Sequence, residues 1–145
     1  MKKEYPIIEF DPDSTSYTNS WNNIDQKVVL PERCVITFFG DAMASLVAKN
    51  NCNQIGNIVL ESYEIPIFEY KNAKKEKIAV LHGFGGGPYA AGQLEKLINL
   101  GCKKFIVCGG CGVLFDKSDL GEVLIPTSAV RDEGTSYHYI KPSRE

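Results

Sequence analysis

The sequence of 145 residues has the composition of one folded domain, with 43% hydrophobic and 23% charged residues. A chain of this length can remove roughly 68–70% of its unfolded surface from water, so it can form a core without disulfide bonds. Its 16 basic and 18 acidic residues give a net charge of -2. Because no basic cluster stands out, nucleic acid and anionic membranes are not expected partners.

The five cysteines are expected to be reduced thiols of a cytoplasmic protein. No apolar run approaches the roughly 18 residues of a membrane span, and no long apolar stretch follows the charged start of the chain, as a secretory signal would require. The pair Cys108 and Cys111 supplies too few ligands for a structural zinc site. We therefore expect no metal and interpret the pair as small thiols at the end of a strand.

Residues 1–33 form an N-terminal arm in this interpretation. The stretch 11–20 is polar and shows neither helical nor strand periodicity, and Trp21 is its expected anchor. The arm either packs late or on a neighbouring subunit, or is a disordered leader. The sequence does not decide between these two interpretations.

The expected body begins at residue 34 with a buried strand over residues 34–39, which ends at Gly40. Asp41 is placed as the N-cap of a following helix. The apolar residues of that helix recur at helical spacing: Met43, Leu46 and Val47. Residues 34–50 therefore predict strand, glycine turn and helix.

Strand patterns continue over residues 58–70 and 78–81, joined by a charged turn, and predict a hairpin attached to the main sheet. A glycine-rich loop at 83–87 then leads into a helix that starts near Pro88 and stops at Gly101. A buried strand at 104–108 follows, and the apolar residues between 122 and 130 predict a last strand.

Three glycine-containing corners are expected to meet at one edge of the sheet: Gly40, the loop 83–87 and the loop 109–112. The repeated strand, turn and helix indicate βαβ units with a mostly parallel sheet, in which ligands bind beyond the carboxyl ends of the strands. The spacing of the second loop fits neither the dinucleotide fingerprint nor a P-loop, so nicotinamide and ATP are disfavoured.

The segment 131–139 is dense in functional groups and is either a binding loop beside the strand ends or a plain polar loop. His138 could act there as a general base only with a substrate proton within reach. We assign no catalytic residue from the sequence.

Several strings of the chain resemble the nucleoside phosphorylase superfamily of the uridine and bacterial purine type. The strings lie at 109–114, 121–126 and 129–139, and the segments at Gly40-Asp41 and 85–101 add the family's first glycine turn and its Gly-Pro helix. The resemblance covers residues 34–145 as the N-terminal portion of such a protein. It implies an α/β fold with a central, mostly parallel or mixed sheet flanked by helices.

The resemblance also implies a pentosyltransferase that cleaves the N-glycosidic bond of a purine or pyrimidine nucleoside. Phosphate would be the co-substrate, no cofactor would be needed, and the subunits would form dimers or trimers of dimers. By similarity, Gly40 and Gly110 would bind phosphate, whereas Gly110, Cys111 and Gly112 would line the nucleoside.

Two departures from the family pattern leave alternatives open. The family's phosphate-binding arginines correspond to Ala44, Tyr63 and Val107, none of them basic, and its hydroxyl donor corresponds to Gly110. Water could then replace phosphate, as in a nucleosidase. The family's second half, which would grip ribose and base, is not in this sequence, so a truncated, non-catalytic nucleoside-binding or oligomerising half-domain is the third reading. Purine and pyrimidine preference stays open.

Overall fold

The computed structural model describes residues 10–13, 28–60, 62, 64–114, 120–141 and 143. Most of the expected arm, with Trp21, lies outside these described residues, as does Tyr63. The elements in chain order are β1 (Arg33–Thr37), α1 (Gly40–Lys49), β2 (Asn53–Val59), β3 (Glu64–Lys71), β4 (Lys77–His82), α2 (Gly87–Asn99), β5 (Lys104–Cys108) and a short 3₁₀ turn (Ser136–His138).

The five strands form one mixed sheet in the order β2-β3-β4-β1-β5. The strand β1 is parallel to both of its neighbours, β4 and β5, whereas β3 is antiparallel to β4 and β2. Two helices flank the sheet. The expected α/β fold with a mixed, partly parallel sheet is thereby confirmed, including the hairpin of β3 and β4.

The core lies between the sheet and α2. The apolar runs of β1 and β4 put Cys34, Ile36, Ala79 and Leu81 into it, and Leu97 of α2 is fully buried against them. α2 has a proline in its first turn and is followed by a glycine with φ +111° at position 101, a conformation that L-residues avoid. Both ends of this helix therefore lie where the sequence predicts them.

The last residues before β1 pack on the body. Leu30 is buried and its N–H donates to the carbonyl oxygen of Leu100 at 2.8 Å. The carbonyl of Glu32 accepts hydrogen bonds from the N–H groups of Lys103 and Lys104 at 2.8 and 2.9 Å. The segment 28–33 of the expected arm thus joins the core at the C-terminal end of α2.

The predicted strand at 122–130 is wrong: within the described residues this stretch is not paired with any strand. Val123, Ile125 and Val130 are instead 86–91% exposed. Valine and isoleucine favour strands chiefly because they pack against cross-strand neighbours, and no described strand lies beside this stretch. β5 is the last strand of the sheet, and its Ile106 and Val107 are exposed.

Two element boundaries also differ from expectation. α1 begins at Gly40, so Asp41 lies in its first turn rather than at the N-cap, where a carboxylate still stabilises the positive end of the helix. β2 begins at Asn53, in polar residues without strand periodicity, and has an irregularity between Gln54 and Gly56. Neither α1 nor α2 combines the length and the apolar character needed to cross a bilayer.

Candidate functional site

The carboxyl ends of β1, β4 and β5 stand side by side. Thr37 at the end of β1 is in register with His82 of β4 and Cys108 of β5. The N–H of Gly83 donates to the carbonyl of Thr37, and the N–H of Phe38 donates to the carbonyl of Cys108, both at 2.9 Å. The structure thus brings the three glycine corners to one edge of the sheet. This agrees with the expectation for neighbouring parallel strands, whose carboxyl ends lie side by side.

The ring of Phe38 fills the gap between two of these corners. A Cβ on Gly83 would lie 2.7 Å from the Phe38 ring and 2.9 Å from the side chain of Ile36, and a Cβ on Gly109 would lie 3.2 Å from the same ring. Glycine at positions 83 and 109 therefore leaves room for the ring of Phe38, which a Cβ at either position would crowd. By contrast, a Cβ on Gly85 or Gly110 would meet no atom within 4 Å.

Gly40 opens α1 at the end of β1. The preceding residue, Phe39, provides no side-chain cap, and the first helical hydrogen bond runs from the N–H of Met43 to the carbonyl of Phe39. The amides of the first turn are the ones that a helix leaves without an internal partner, and they carry partial positive charge. This arrangement can accept an anion at Gly40.

His82 lies at the same place, at the end of β4. Its Nδ1 is 2.8 Å from the carbonyl oxygen of Thr37, so Nδ1 carries the proton of that hydrogen bond. The Nε2 atom lies 3.8 Å from the position of a Cβ on Gly40. Sequence patterns do not place His82 at this site. The available signal is a polar residue that ends a buried strand directly before a glycine loop.

The residues directly after β5, from 109 to 114, are exposed to solvent. Gly110, Cys111 and Gly112 are exposed, and a Cβ on either glycine would meet no atom within 4 Å. The thiol of Cys108 points back to the carbonyl of Ile36 at 3.8 Å. All five cysteines are free thiols that form no disulfide bond. Among the residues that the structure describes, no cluster of three or more metal-ligating side chains occurs.

The loop from residue 131 to 141 is held together by Arg131. Its guanidinium donates to the hydroxyl of Ser136 and to the carbonyls of Ile140 and Lys141 at 2.7–2.9 Å, and it lies 4.5 Å from the ring centroid of Tyr137. The hydroxyl of Tyr137 donates to the carbonyl of Arg131 at 2.8 Å. Arg131 thus acts within the loop, and the 3₁₀ turn that contains His138 is part of this self-contained unit.

A side-chain hydrogen bond joins the loop to α2, and further bonds lie within the loop. The hydroxyl of Tyr139 donates to Glu95 at 3.0 Å, and burial together with this contact raises the pKa of Tyr139. Glu133 accepts hydrogen bonds from the N–H groups of Thr135 and Ser136 and from the hydroxyl of Ser136. These bonds, the Ser136 hydroxyl first, lower the pKa of Glu133.

Glu133 and Thr135 also lie against the start of α2. A Cβ on Gly87 would come within 2.8 Å of a Glu133 carboxylate oxygen and within 3.0 Å of the Thr135 hydroxyl. The loop therefore stands beside the Gly-Pro start of α2 with its carboxylate near the positive end of that helix. Sequence patterns could not show this contact, because the two segments lie far apart along the chain.

Comparison with known proteins finds similarity to proteins that are named phosphorylases. A family model described as the phosphorylase superfamily matches residues 32–144. A guanosine phosphorylase of Halorubrum lacusprofundi is 39% identical over 54 residues, which are 37% of this chain and 22% of that protein. The uridine phosphorylases of Haemophilus influenzae and Escherichia coli are 38% identical over 55 residues and 35% identical over 54 residues, which are 38% and 37% of this chain. The chain spans about a fifth of the length of these relatives, 22% and 21% for the two uridine phosphorylases.

Proposed function

Because the chain belongs to the phosphorylase superfamily, we propose that it forms the phosphate corner of a nucleoside phosphorylase, a pentosyltransferase that cleaves an N-glycosidic bond with phosphate. The match over residues 32–144 confirms the family resemblance of the sequence. The observation that carries the proposal is the meeting of three glycine corners beyond the parallel strands β1, β4 and β5. Similar proteins named guanosine phosphorylase and uridine phosphorylase support nucleosides as the substrate class.

The chemistry requires an anion beside a sugar carbon that becomes positively charged. Phosphate held there is both the nucleophile and the electrostatic partner of the cation-like ribosyl group. In this proposal the amides at Gly40 and the exposed Gly110 bind phosphate, and Gly110, Cys111 and Gly112 line the nucleoside. The uncapped start of α1 and the open space at Gly110 support these assignments.

The remaining parts of the proposal concern partners and location. Phosphate and a nucleoside are the ligands, without a cofactor, and purine and pyrimidine nucleosides are both retained as substrates. We propose homo-oligomers, dimers or trimers of dimers, because the apolar residues Ile106 and Val107 of the edge strand β5 are exposed. A cytoplasmic location is supported by the five unpaired cysteines.

A nucleosidase that uses water is the second candidate. The observation that favours it is the absence of a basic side chain at two positions that would face phosphate by resemblance. Ala44 is exposed on α1, one turn after Gly40, and Val107 is exposed on β5. The third candidate is a non-catalytic half-domain that binds nucleosides or assembles with itself. The exposed apolar residues Ile106 and Val107 of the edge strand β5 favour assembly in this third candidate.

One assay separates the three candidates. Release of base from uridine, inosine, guanosine and adenosine is followed by chromatography, with and without phosphate, and the sugar product is identified as ribose 1-phosphate or free ribose. Phosphorolysis predicts release that depends on phosphate and gives ribose 1-phosphate. Release of ribose without phosphate favours the nucleosidase. Full activity is not expected of these 145 residues alone, so the assay uses the longest available form of the protein, and no release from any nucleoside by that form contradicts the enzyme proposals.

Two glycine variants provide the matched control. Gly110→Val fills the open space at the corner and should abolish release. Gly92→Ala adds a methyl group in the middle of α2, where it would meet no atom within 4 Å, and should leave release unchanged. Equal activities of the two variants would contradict the placement of the site at Gly110.

A further inference from the structure

We propose that the outer apolar face of α2, together with the loop from residue 131 to 141, is the contact surface for a second copy of this chain, with the two α2 helices antiparallel across a two-fold axis. The inference rests on the homo-oligomer proposed above and names a contact surface for it that is separate from the edge strand β5. It is carried by an exposed apolar stripe, by the groove beside that stripe and by the order of residue sizes along the helix.

The apolar stripe of α2 lies outside the core. Leu97 of this helix is fully buried, whereas Leu94 is 37% and Ile98 is 52% exposed. With Gly87 and Ala91, these two exposed residues repeat at intervals of four, three and four positions. That spacing is typical of a helix whose seam packs against another helix, whereas the solvent-facing side of a surface helix usually carries polar residues.

The loop forms the second wall of a groove along the stripe. The groove has a volume of about 350 Å³, and its loop wall consists of Glu133, Thr135, Ser136 and Tyr139. Both carboxylates of the lining already accept hydrogen bonds: Glu95 from the hydroxyl of Tyr139 at 3.0 Å, and Glu133 from the amides of residues 135 and 136. A site for a small polar ligand needs polar groups that can orient it. This groove instead offers apolar surface, which suits the apolar side chains of a protein partner.

The order of sizes along the stripe indicates a second copy as that partner. The stripe begins with two small residues that line the groove, Gly87 and Ala91, and ends with two large ones, Leu94 and Ile98. A two-fold contact joins the same patch of both subunits, so that residue i faces j and j faces i. In an antiparallel pair centred between positions 92 and 93, Leu94 faces Ala91 of the second copy and Ile98 faces its Gly87. Each large side chain then meets a small residue, as close packing requires.

Charge does not oppose this contact. Two identical faces bring like charges together wherever a charged residue lies near the axis, and like charges that face each other weaken binding. The four positions of the stripe are uncharged. In the antiparallel pair the two Glu95 residues are offset by five positions, roughly 7.5 Å along the helix axis. The outer face of α2 is therefore suited to pairing with itself.

Variants at two exposed apolar positions test the surface. The molar mass of the form of the protein used in the nucleoside assay is measured by light scattering and sedimentation over a concentration series. Ile98→Lys should raise the dissociation constant of the dimer roughly hundredfold or more, because a two-fold contact contains the substitution twice. Ile106→Lys on β5, where the side chain is 65% exposed, is the matched control and should leave the dimer intact. Circular dichroism checks that both variants are folded.

Hydrogen exchange of the unchanged protein provides a measurement that needs no variant. Exchange is followed by mass spectrometry in dilute and in concentrated solution. Residues 91–98 and 136–140 should exchange more slowly in the concentrated sample, because the contact removes them from water. The turn at residues 72–76, between β3 and β4, should exchange equally in both samples.

The possible failures are distinguishable. If Ile98→Lys associates as well as the unchanged protein, or if concentration protects residues 104–108 but not α2 and the loop, this surface is refuted while the homo-oligomer stands. If Ile98→Lys lowers the unfolding midpoint and leaves the molar mass unchanged, the face packs within its own chain and the inference is wrong. If the unchanged protein is a monomer at every concentration, the homo-oligomer and this inference fall together. Base release from nucleosides tests the proposed reaction separately.

Discussion

Replacing Gly83 by alanine tests how tightly the strand ends are packed. The added Cβ would lie 2.7 Å from Cζ and 2.9 Å from Cε2 of Phe38, and 2.9 Å from Cγ2 of Ile36. These distances are roughly 0.6–0.8 Å shorter than the favourable carbon–carbon separation of about 3.5 Å. Overpacking of this kind costs typically 1–3 kcal/mol, and we expect a loss of about 2 kcal/mol because three contacts are violated and part of the Phe38 ring can move into solvent.

The assay is urea and thermal unfolding followed by circular dichroism. A loss of about 2 kcal/mol lowers the Tm of a chain of this size by roughly 4–8 °C. Gly85→Ala is the matched control, because its Cβ would meet no atom within 4 Å, and it should change the free energy of unfolding by less than about 0.5 kcal/mol.

A double-mutant cycle identifies the cause of the loss. In a Phe38→Ala background two of the three close contacts of the Gly83→Ala methyl group disappear, so that substitution should cost at least about 1 kcal/mol less. If Gly83→Ala is as stable as the unchanged chain, or if its cost is the same with and without Phe38, the packing described for this corner is refuted.

Three further predictions concern the core, the phosphate corner and the loop. Leu97→Ala, at a fully buried position, should lower the free energy of unfolding in urea by about 2–5 kcal/mol; a loss below about 1 kcal/mol would contradict its place in the core. Ala44→Arg should raise the affinity for inorganic phosphate in calorimetry by roughly tenfold or more, and Ala48→Arg, one turn further along α1, should not; equal effects would argue against binding at Gly40. Because hydrogen bonds from Ser136 lower the pKa of Glu133, the loop contribution of its carboxylate is present above the usual glutamate pKa and is lost as the pH falls through the lowered value. Amide exchange at Ser136 should therefore speed up in acid relative to the intrinsic rate, and Glu133→Gln should remove that dependence.

The elements that the sequence predicts are those with strong local signals. The buried strands β1, β4 and β5 follow from short apolar runs, and the limits of α2 follow from Pro88 and Gly101, since the chemistry of proline and glycine at helix ends acts within a few residues. The corners at one edge follow from the parallel arrangement of those strands.

Features that depend on neighbours distant in the chain could not be predicted. The strand expected at 122–130 has a suitable composition, but strand formation needs a partner edge, which a local pattern does not contain. The orientation of His82 depends on the carbonyl of Thr37, 45 residues earlier, and so on the register of β1 and β4. The contact of Glu133 with Gly87 arises in the same way from segments that fold together in space.

The place of Thr37 has a consequence for ligand binding. It ends β1, which is paired in parallel on both sides. Its carbonyl accepts from Gly83 N–H and His82 Nδ1, and its hydroxyl accepts from the N–H of Phe39 at 3.2 Å. The corner is thereby preorganised by its own backbone. If an anion binds at the proposed site, little chain entropy would be lost on binding, because hydrogen bonds within the protein already fix the backbone of the corner.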